Sequence, residues 1–222
     1  MEITKVLPDD CISLIISLTS PRDACRMALL SHAFNSIADS NAVWQMFLPL
    51  DYIHIISNSS SPPSLLSLPK KDLYFTLCYH PILTHNGDMK FQLEKESGKK
   101  WYMVGARALS IQWVDTPRHW TWISLPDSRY GFRHTPVELD VSIEGTAAGE
   151  VRSVILDPPR NMPQQAKERV DGWLEIEMGE FFNGFENDRT VEFSLREDHD
   201  DQPKRGLIVQ GIELRPKHKN NR

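Results

Sequence analysis

The chain has 222 residues and a mass of 25.5 kDa, with 40% hydrophobic residues, 25% charged residues and a mean hydropathy of -0.40. This balance predicts a water-soluble, folded protein and excludes disorder along the whole length. Its 25 basic and 30 acidic residues give a net charge of -5, which offers no general attraction for nucleic acid. No stretch reaches the about 20 apolar residues of a membrane span, so we expect no membrane partner.

Three cysteines, Cys11, Cys25 and Cys78, lie within the first 78 residues and form no C-x-x-C pair. This usage indicates neither a disulfide framework nor a zinc site, and it favours a reducing compartment. Asp9 and Asp10 stand where the apolar part of a secretion signal would begin. We therefore expect the protein in the cytoplasm and nucleus.

A first helix is predicted after Pro8, because acidic residues follow it and apolar residues then recur at i, i+3, i+4 and i+7, namely Cys11, Leu14, Ile15 and Leu18. Ile12 and Ile16 add a second apolar stripe, which is more than a short helical segment covers by itself. The second stripe indicates a partner surface. Packing against the C-terminal domain is the alternative, and the pattern leaves both open.

Three more helices are predicted before Pro49. Ser20 and Pro21 suit the N-cap and first position of the second helix, residues 34–38 mark the third, and residues 43–48 the fourth. A Ser/Pro-rich stretch that begins near Ser57 indicates a domain boundary. The predicted organisation is a helical domain at residues 1–50, a linker with a short helix around Leu73 at 51–80, and a β domain at 81–222.

The β domain is predicted from period-two alternation of apolar and polar residues, which is typical of antiparallel sheets with one buried face. The segments with this pattern are residues 89–93, 109–113, 137–143, 174–178, 191–195 and 208–214. Glycine and Asn/Asp turns separate them, as in an antiparallel sandwich. The overall fold class is therefore α+β multidomain.

Tryptophans and acids form the candidate binding groups of the β domain. Trp113, Trp120 and Trp122 lie within ten residues, and Glu175 and Glu177 share a strand face with Trp173. An indole covers the apolar face of a pyranose and carboxylates accept hydrogen bonds from its hydroxyls, so this set suits a sugar. Pattern alone favours the alternative, half-buried tryptophans and a solvated acidic face.

Catalytic and metal-binding motifs are absent from the sequence. The acidic run 198–201 is typical of a solvated hairpin loop, and the eight histidines lack metal-ligand spacing. Glu175 and Glu177 on one strand face could suggest a glycosidase pair, but no phosphate loop or nucleophile motif accompanies them. We expect no metal, no cofactor and no enzymatic activity.

Residues 7 to about 49 resemble an F-box, the helical motif that binds the S-phase-kinase-associated adaptor of cullin ubiquitin ligases. The resemblance lies in the opening Leu-Pro, the first helix, the Pro-Arg-Asp that begins the second helix and the Val-Trp of the fourth. It implies a helix-in-groove contact with the adaptor, and the residues carried over are Leu7, Pro8, Ile12, Ile16, Pro21 and Trp44. At residues 31–34 the chain has Ser-His-Ala-Phe where the family often has Cys-Arg-x-Trp.

The β domain resembles the plant phloem lectins, also called Nictaba-like proteins. The matching segments are residues 98–103, 106–113, 116–122, 171–182 and 206–213. The resemblance implies a jelly-roll sandwich that binds N-acetylglucosamine oligomers or N-glycan cores, with Trp113 and Trp120 as sugar contacts. Acidic contacts are implied among Glu175, Glu177 and Glu180.

The β domain also differs from the phloem lectins. His119 stands where they usually have tyrosine, and Ala108 where they often have aspartate. Two or more strands usually separate their Ser-Arg-Phe from a later Tyr-Gly-Phe, whereas here Ser128 and Arg129 run straight into Tyr130. We therefore expect a sandwich that lacks strands near residue 130 and has lower stability than a full-length relative.

Both resemblances together imply a plant substrate-recognition subunit of a cullin-based ubiquitin ligase. The F-box binds the adaptor, and the β-sandwich binds a glycan or glycoprotein target. The alternatives are a protein-interaction module that binds no sugar and, more remotely, a glycoside hydrolase.

Overall fold

A computed structural model describes residues 7–112, 136–144, 146, 151–159, 162–182, 189–197 and 207–217. The chain divides into two compact units. The first consists of Met1–Trp120 with Val209–Arg222, and the second of Thr121–Ile208. The predicted helices before the β domain are confirmed, and so is antiparallel pairing within it. The jelly-roll arrangement stays a prediction.

The described residues of the first unit contain six α-helices. They are α1 (Asp9–Ser17), α2 (Pro21–Met27), α3 (His32–Ala38), α4 (Asn41–Phe47), α5 (Tyr52–Ser57) and α6 (Lys70–Tyr79). Short 3₁₀ helices lie at Pro63–Ser67, His85–Gly87 and Ala106–Ala108.

Serine side chains cap three of these helices. Ser20 accepts a hydrogen bond from the backbone N–H of Asp23 at 3.1 Å, as its predicted N-cap role requires. Ser31 and Ser40 make the same kind of cap on α3 and α4. Each cap satisfies a backbone donor that the first turn leaves unpaired, so these residues fix where the helices begin.

Residues 51–80 contain two helices that contribute to the core. Tyr52 and Ile56 of α5 and Leu73, Tyr74 and Leu77 of α6 are buried with the side chains of α1 and α4. The predicted short helix around Leu73 is confirmed as α6, and the predicted end at His80 is also confirmed. The interval that is predicted as a linker with a short helix therefore contains two helices that share the core.

The strands of the described residues are β1 (Ile82–Thr84), β2 (Met89–Leu93), β3 (Lys100–Gly105), β4 (Val137–Ile143), β5 (Arg152–Val154), β6 (Lys167–Glu168), β7 (Leu174–Glu175), β8 (Val191–Arg196) and β9 (Gly211–Leu214). These strands form two larger sheets and one small ribbon. The first sheet has the order β1-β2-β3-β9 and the second the order β5-β4-β8, while β6 and β7 form the ribbon. All pairs among these strands are antiparallel.

Several strand predictions are confirmed and one is wrong. The alternating segments become β2, β4 and β8, and shorter strands β7 and β9 lie within two more. Residues 109–112 form no strand, because the 3₁₀ helix Ala106–Ala108 turns the chain immediately before them. Trp113 lies outside the described residues.

A serine segment lies beside the outer edge of β1. The backbone N–H of Ser60 donates to Leu83 O at 2.9 Å, and Ser59 forms an antiparallel bridge with Thr84. The Ser59 hydroxyl also donates to Ile56 O at 2.7 Å, so the segment is held to α5. This part of the Ser/Pro-rich stretch therefore extends the ladder of the first sheet.

One core joins the helices to the first sheet. Phe91 and Leu93 of β2 are buried in the same apolar cluster as Ile16, Trp44 and Leu77. The strands β1, β2, β3 and β9 belong to the same compact unit as the helices. The predicted domain bounds of 1–50, 51–80 and 81–222 stay a prediction. The second unit has a smaller cluster around Val137, Leu139 and Val154.

Candidate functional site

The two apolar stripes of α1 have opposite environments. Ile12 and Ile16 are 3% and 0% exposed, whereas Leu14, Ile15 and Leu18 are 59%, 49% and 75% exposed. The expectation that the Ile12/Ile16 stripe forms the open surface is therefore wrong. These two isoleucines face the helices around α4, and the Leu14/Ile15/Leu18 stripe, called here the α1 stripe, is the accessible one.

The other residues carried over from the F-box resemblance divide in the same way. Pro8 is exposed and Leu7 is partly buried against the core, so both lie at the accessible start of α1. Pro21 and Trp44 are buried. The Trp44 Nε1–H donates to Ala38 O at 2.7 Å, which satisfies the buried indole donor. Trp44 and Pro21 therefore support the helical unit from within.

Further exposed apolar side chains were missed by the sequence reasoning. Leu29 and Leu30 follow α2 and are 85% and 69% exposed. Met46, Leu50 and Ile53 form another group near the end of α4 and the start of α5, and each is more than half exposed. No helical periodicity marks either group, because turns interrupt both. Their abundance in a small unit is the signal that could have revealed them.

The predicted acidic contacts lie on and after β7, and two of them have basic partners. Glu175 lies 4.0 Å from Lys167, and Glu177 lies 3.8 Å from Arg152, which also donates to Glu177 O at 2.9 Å. Glu180 is exposed further along. Exposed pairs of this kind contribute about 0–1 kcal/mol, so they leave the carboxylates able to exchange partners.

The segment 174–182 is anchored in the second unit by its apolar side. Ile176 and Met178 pack against the cluster around Val137, and Gly179 approaches Val141 so closely that a Cβ there would lie 3.1 Å from Val141 Cγ2. The predicted alternation is supported here, because Glu177 is exposed while its apolar neighbours face the core. The segment thereby presents its acids on a fixed backbone.

An Arg-Asp turn precedes β7. Arg169 Nη2 donates to Asp171 Oδ2 at 2.9 Å, and the Trp173 N–H donates to Asp171 Oδ1 at 3.3 Å. The hydrogen bond from Arg169 holds the pKa of Asp171 below its usual range. Gly172 has a φ of +82° in this turn, which favours glycine. The turn is therefore specified by an ion pair and a left-handed residue.

The predicted sugar-binding tryptophans Trp113 and Trp120 lie outside the described residues, so their arrangement with the acids stays a prediction. Within the described parts of the chain, no group of three or more His, Cys, Asp or Glu side chains could hold a metal ion. In the same parts, no helix is long and apolar enough to cross a membrane.

Comparisons with known proteins match both halves of the chain. The F-box domain family matches residues 6–46, and the phloem protein 2 family matches residues 99–130 and 126–216. F-box protein PP2-B10 of Arabidopsis thaliana is 36% identical, and the alignment covers 94% of this chain and 92% of that protein. The chain belongs to the F-box proteins with a phloem protein 2 domain.

Two other similar F-box proteins of Arabidopsis thaliana align with most of this chain. F-box protein At2g02240 is 36% identical over 95% of this chain and 79% of its own length. F-box protein SKIP3 is 35% identical over 95% of this chain and 87% of its own length. No solved structure matches.

The match to phloem protein 2 is interrupted. It consists of two segments that meet at residues 126–130. The alignment with PP2-B10 has 256 positions, whereas the 94% of this chain that it covers is about 209 residues. More than forty aligned positions are therefore gaps in this chain. The interruption falls where the sequence runs from Arg129 directly into Tyr130.

Proposed function

We propose that this F-box protein is the substrate-recognition subunit of an SCF-type, cullin-based ubiquitin ligase. Its F-box binds the S-phase-kinase-associated adaptor, and its phloem protein 2 domain binds a glycan or glycoprotein target in the cytoplasm or nucleus. In this proposal the chain has no active site. It tethers the target, which raises the effective concentration of target lysines near a ubiquitin-loaded enzyme elsewhere in the complex.

The observation that carries the adaptor half is the α1 stripe. Leu14, Ile15 and Leu18 are exposed on one side of a helix whose other side is packed. A row of this kind suits the helix-in-groove mode, in which apolar side chains at i, i+1 and i+4 enter a groove of the partner. We propose that Leu7 and Pro8 continue the contact at the start of the helix. Ile12, Ile16, Pro21 and Trp44 then act indirectly, by holding α1 in place.

Co-purification with the adaptor tests this half. A Leu14→Asp plus Leu18→Asp variant places two charges in the contact, and we expect adaptor binding to be lost while the urea midpoint stays within error of the parent. The matched control is Val170→Asp, which adds a charge at a fully exposed apolar residue of the second unit. If the double variant still binds the adaptor, the α1 stripe is not the contact.

The glycan half is supported by the phloem protein 2 match and by the residues that the lectin resemblance implies. Trp113 and Trp120 supply indole faces, and Glu175, Glu177 and Glu180 supply acceptors on the anchored segment 174–182. A sugar hydroxyl would compete with Lys167 and Arg152 for two of these carboxylates. Because those ion pairs are partly exposed, this exchange costs little.

Retention on immobilised N-acetylglucosamine oligomers tests this half. We expect the parent to be retained and Trp113→Ala and Trp120→Ala to be lost, with Trp101→Phe as a control at a half-buried tryptophan of β3. Release of the sugar unchanged would exclude the remote alternative of a glycoside hydrolase. Absence of retention in the parent would refute sugar binding.

The second candidate is a protein-interaction module that recognises its target without sugar. The interrupted family match favours it, because a jelly-roll that lacks strands near residue 130 would lose part of the sheet that surrounds a sugar site. A target captured equally well before and after enzymatic removal of its glycans would support this candidate over the lectin.

A further inference from the structure

The hairpin that joins β2 to β3 is locked to the helices by its turn, residues 94–98. The buried Tyr74 of α6 donates its hydroxyl hydrogen towards Glu94 O at 3.2 Å and Lys95 O at 3.1 Å. Gly98 approaches the end of α4 so closely that a Cβ there would lie 2.9 Å from Phe47 O. Two different helices therefore contact the same turn.

The turn is also internally braced. The Glu94 N–H donates to Lys99 O at 2.9 Å, and the Gly98 N–H donates to Glu94 O at 2.8 Å. The Glu94 carboxylate accepts from the Ser97 N–H at 2.8 Å and from the Ser97 hydroxyl. These hydrogen bonds leave the turn few internal degrees of freedom of its own.

Two ion pairs at the surface also connect the helical segment to the β2–β3 hairpin. Arg22 at the start of α2 lies 3.2 Å from Glu96, and Lys100 at the start of β3 lies 2.6 Å from Asp51 beside α5. Each is partly exposed and contributes little alone. Together they mark contacts between helices and hairpin that are 49 and 74 residues apart in sequence.

Packing is continuous from α1 to the sheet. α1 packs on α4, α4 packs on α6, and α6 packs on β2. Ile16, Trp44, Leu77 and Phe91, one from each element, belong to a single buried cluster. Locally opening a segment of such a cluster exposes the apolar surface of its neighbours, so segments that share a core tend to open together.

We propose that the six helices and the sheet β1-β2-β3-β9 open as one cooperative unit, so that occupation of the α1 stripe by the adaptor stabilises the β2–β3 hairpin. The second half, stabilisation of the hairpin by the adaptor, rests on the proposed function. The first half, cooperative opening, does not. Any ligand that binds only the folded unit lowers the population of its open form throughout the unit. Adaptor binding would then stabilise part of the phloem protein 2 domain without contacting it.

Native-state hydrogen exchange of the full chain, read by mass spectrometry on peptides from α4 and from residues 89–105, tests the first half. Ile16→Val and Ile15→Val are a matched pair, because the same substitution falls on adjacent residues of α1 that are 0% and 49% exposed. We expect Ile16→Val to accelerate exchange about three- to tenfold in both peptides, and Ile15→Val to change neither by more than about twofold. Faster exchange confined to the helices would overturn the proposal.

Saturation with the purified adaptor tests the second half. At a free adaptor concentration of about 100 Kd, we expect exchange in residues 89–105 to slow by about 100-fold, as in α4. Slowing in the helices alone would overturn the coupling and leave adaptor binding intact. If no adaptor binds, the proposed function fails, and the Ile16→Val result still decides whether the unit is cooperative.

Discussion

Gly98→Ala is the sharpest probe of the contact between hairpin and helices. Gly98 has a φ of +70°, and an added Cβ would lie 2.9 Å from Phe47 O and 3.3 Å from Tyr74 Cε2. The left-handed backbone costs an alanine about 1–2 kcal/mol, and displacing the neighbouring backbone costs about 1–3 kcal/mol more. Loss of glycine entropy in the unfolded chain offsets about 0.4–1 kcal/mol. The net loss spans about 1–4.6 kcal/mol, and we expect a value near its centre, about 3 kcal/mol.

Gly87→Ala is the matched control in the same unit. Gly87 has a φ of +95°, but nothing lies within 4 Å of an added Cβ. It therefore carries the backbone penalty without the clash, and we expect a loss of about 1 kcal/mol or less. The difference between the two variants isolates the close approach of the hairpin turn to α4.

Urea unfolding followed by circular dichroism measures both variants. With an m-value of about 2 kcal/mol/M, the Gly98→Ala midpoint should fall by about 1 M or more with an unchanged slope, and the Gly87→Ala midpoint by less than about half of that. Equal losses in the two variants would refute the reasoning, because the contact with Phe47 would then contribute nothing.

Three further predictions concern thiols, alkaline pH and a helix cap. In the native protein a thiol reagent at neutral pH should label the exposed Cys11 and spare Cys78, whose burial raises its pKa to about 11; equal labelling rates would contradict this. Burial also raises the pKa of Tyr102 to about 12. A group whose pKa is higher in the folded than in the unfolded state stabilises the protein below the unfolded pKa, and this contribution is lost as the pH rises through the folded pKa. The urea midpoint should therefore fall between about pH 9 and pH 12 rather than stay level. Ser20→Ala removes the cap on Asp23 N–H and should cost about 1 kcal/mol in the same assay, whereas no change would show that the cap is dispensable.

The helix starts could be predicted because they depend on local chemistry. Ser20 and Pro21 specify the beginning of α2 through a hydroxyl acceptor and a fixed φ, and the structure confirms both. The end of α4 before Pro49 and the end of α6 before Pro81 follow from the same backbone restrictions. Such signals act within a few residues and need no knowledge of the tertiary fold.

The buried face of α1 could not be predicted because both faces are apolar. Ile12 and Ile16 are no more hydrophobic than Leu14, Ile15 and Leu18, so the periodicity supports either choice. Neighbouring helices decide the outcome, and contacts between α1 and α4 are separated by about thirty residues of sequence. A consequence is that Ile12→Asp would test folding rather than adaptor binding, because it places a charge in the core.

The burial of both helices within residues 51–80 could not be predicted for a related reason. Serine and proline around Ser57 and Pro62 are typical of linkers, but Tyr52, Leu73 and Tyr74 on either side are buried in the helical core. Composition reports local backbone preference and does not report whether flanking segments return to the same cluster. Strand β3 is not among the predicted segments for a different reason, because residues 101–104 are consecutively apolar and lack the period-two alternation on which the strand predictions rest.

The serine segment beside β1 has a consequence for handling the protein. Unpaired backbone groups at the margin of a sheet recruit other chains and lead to aggregation. Here Ser59 and Ser60 pair with Leu83 and Thr84, and the prolines that follow cannot donate hydrogen bonds to an incoming strand. Deleting this stretch to shorten the chain for expression would therefore expose the edge of β1 and make the protein more prone to aggregation.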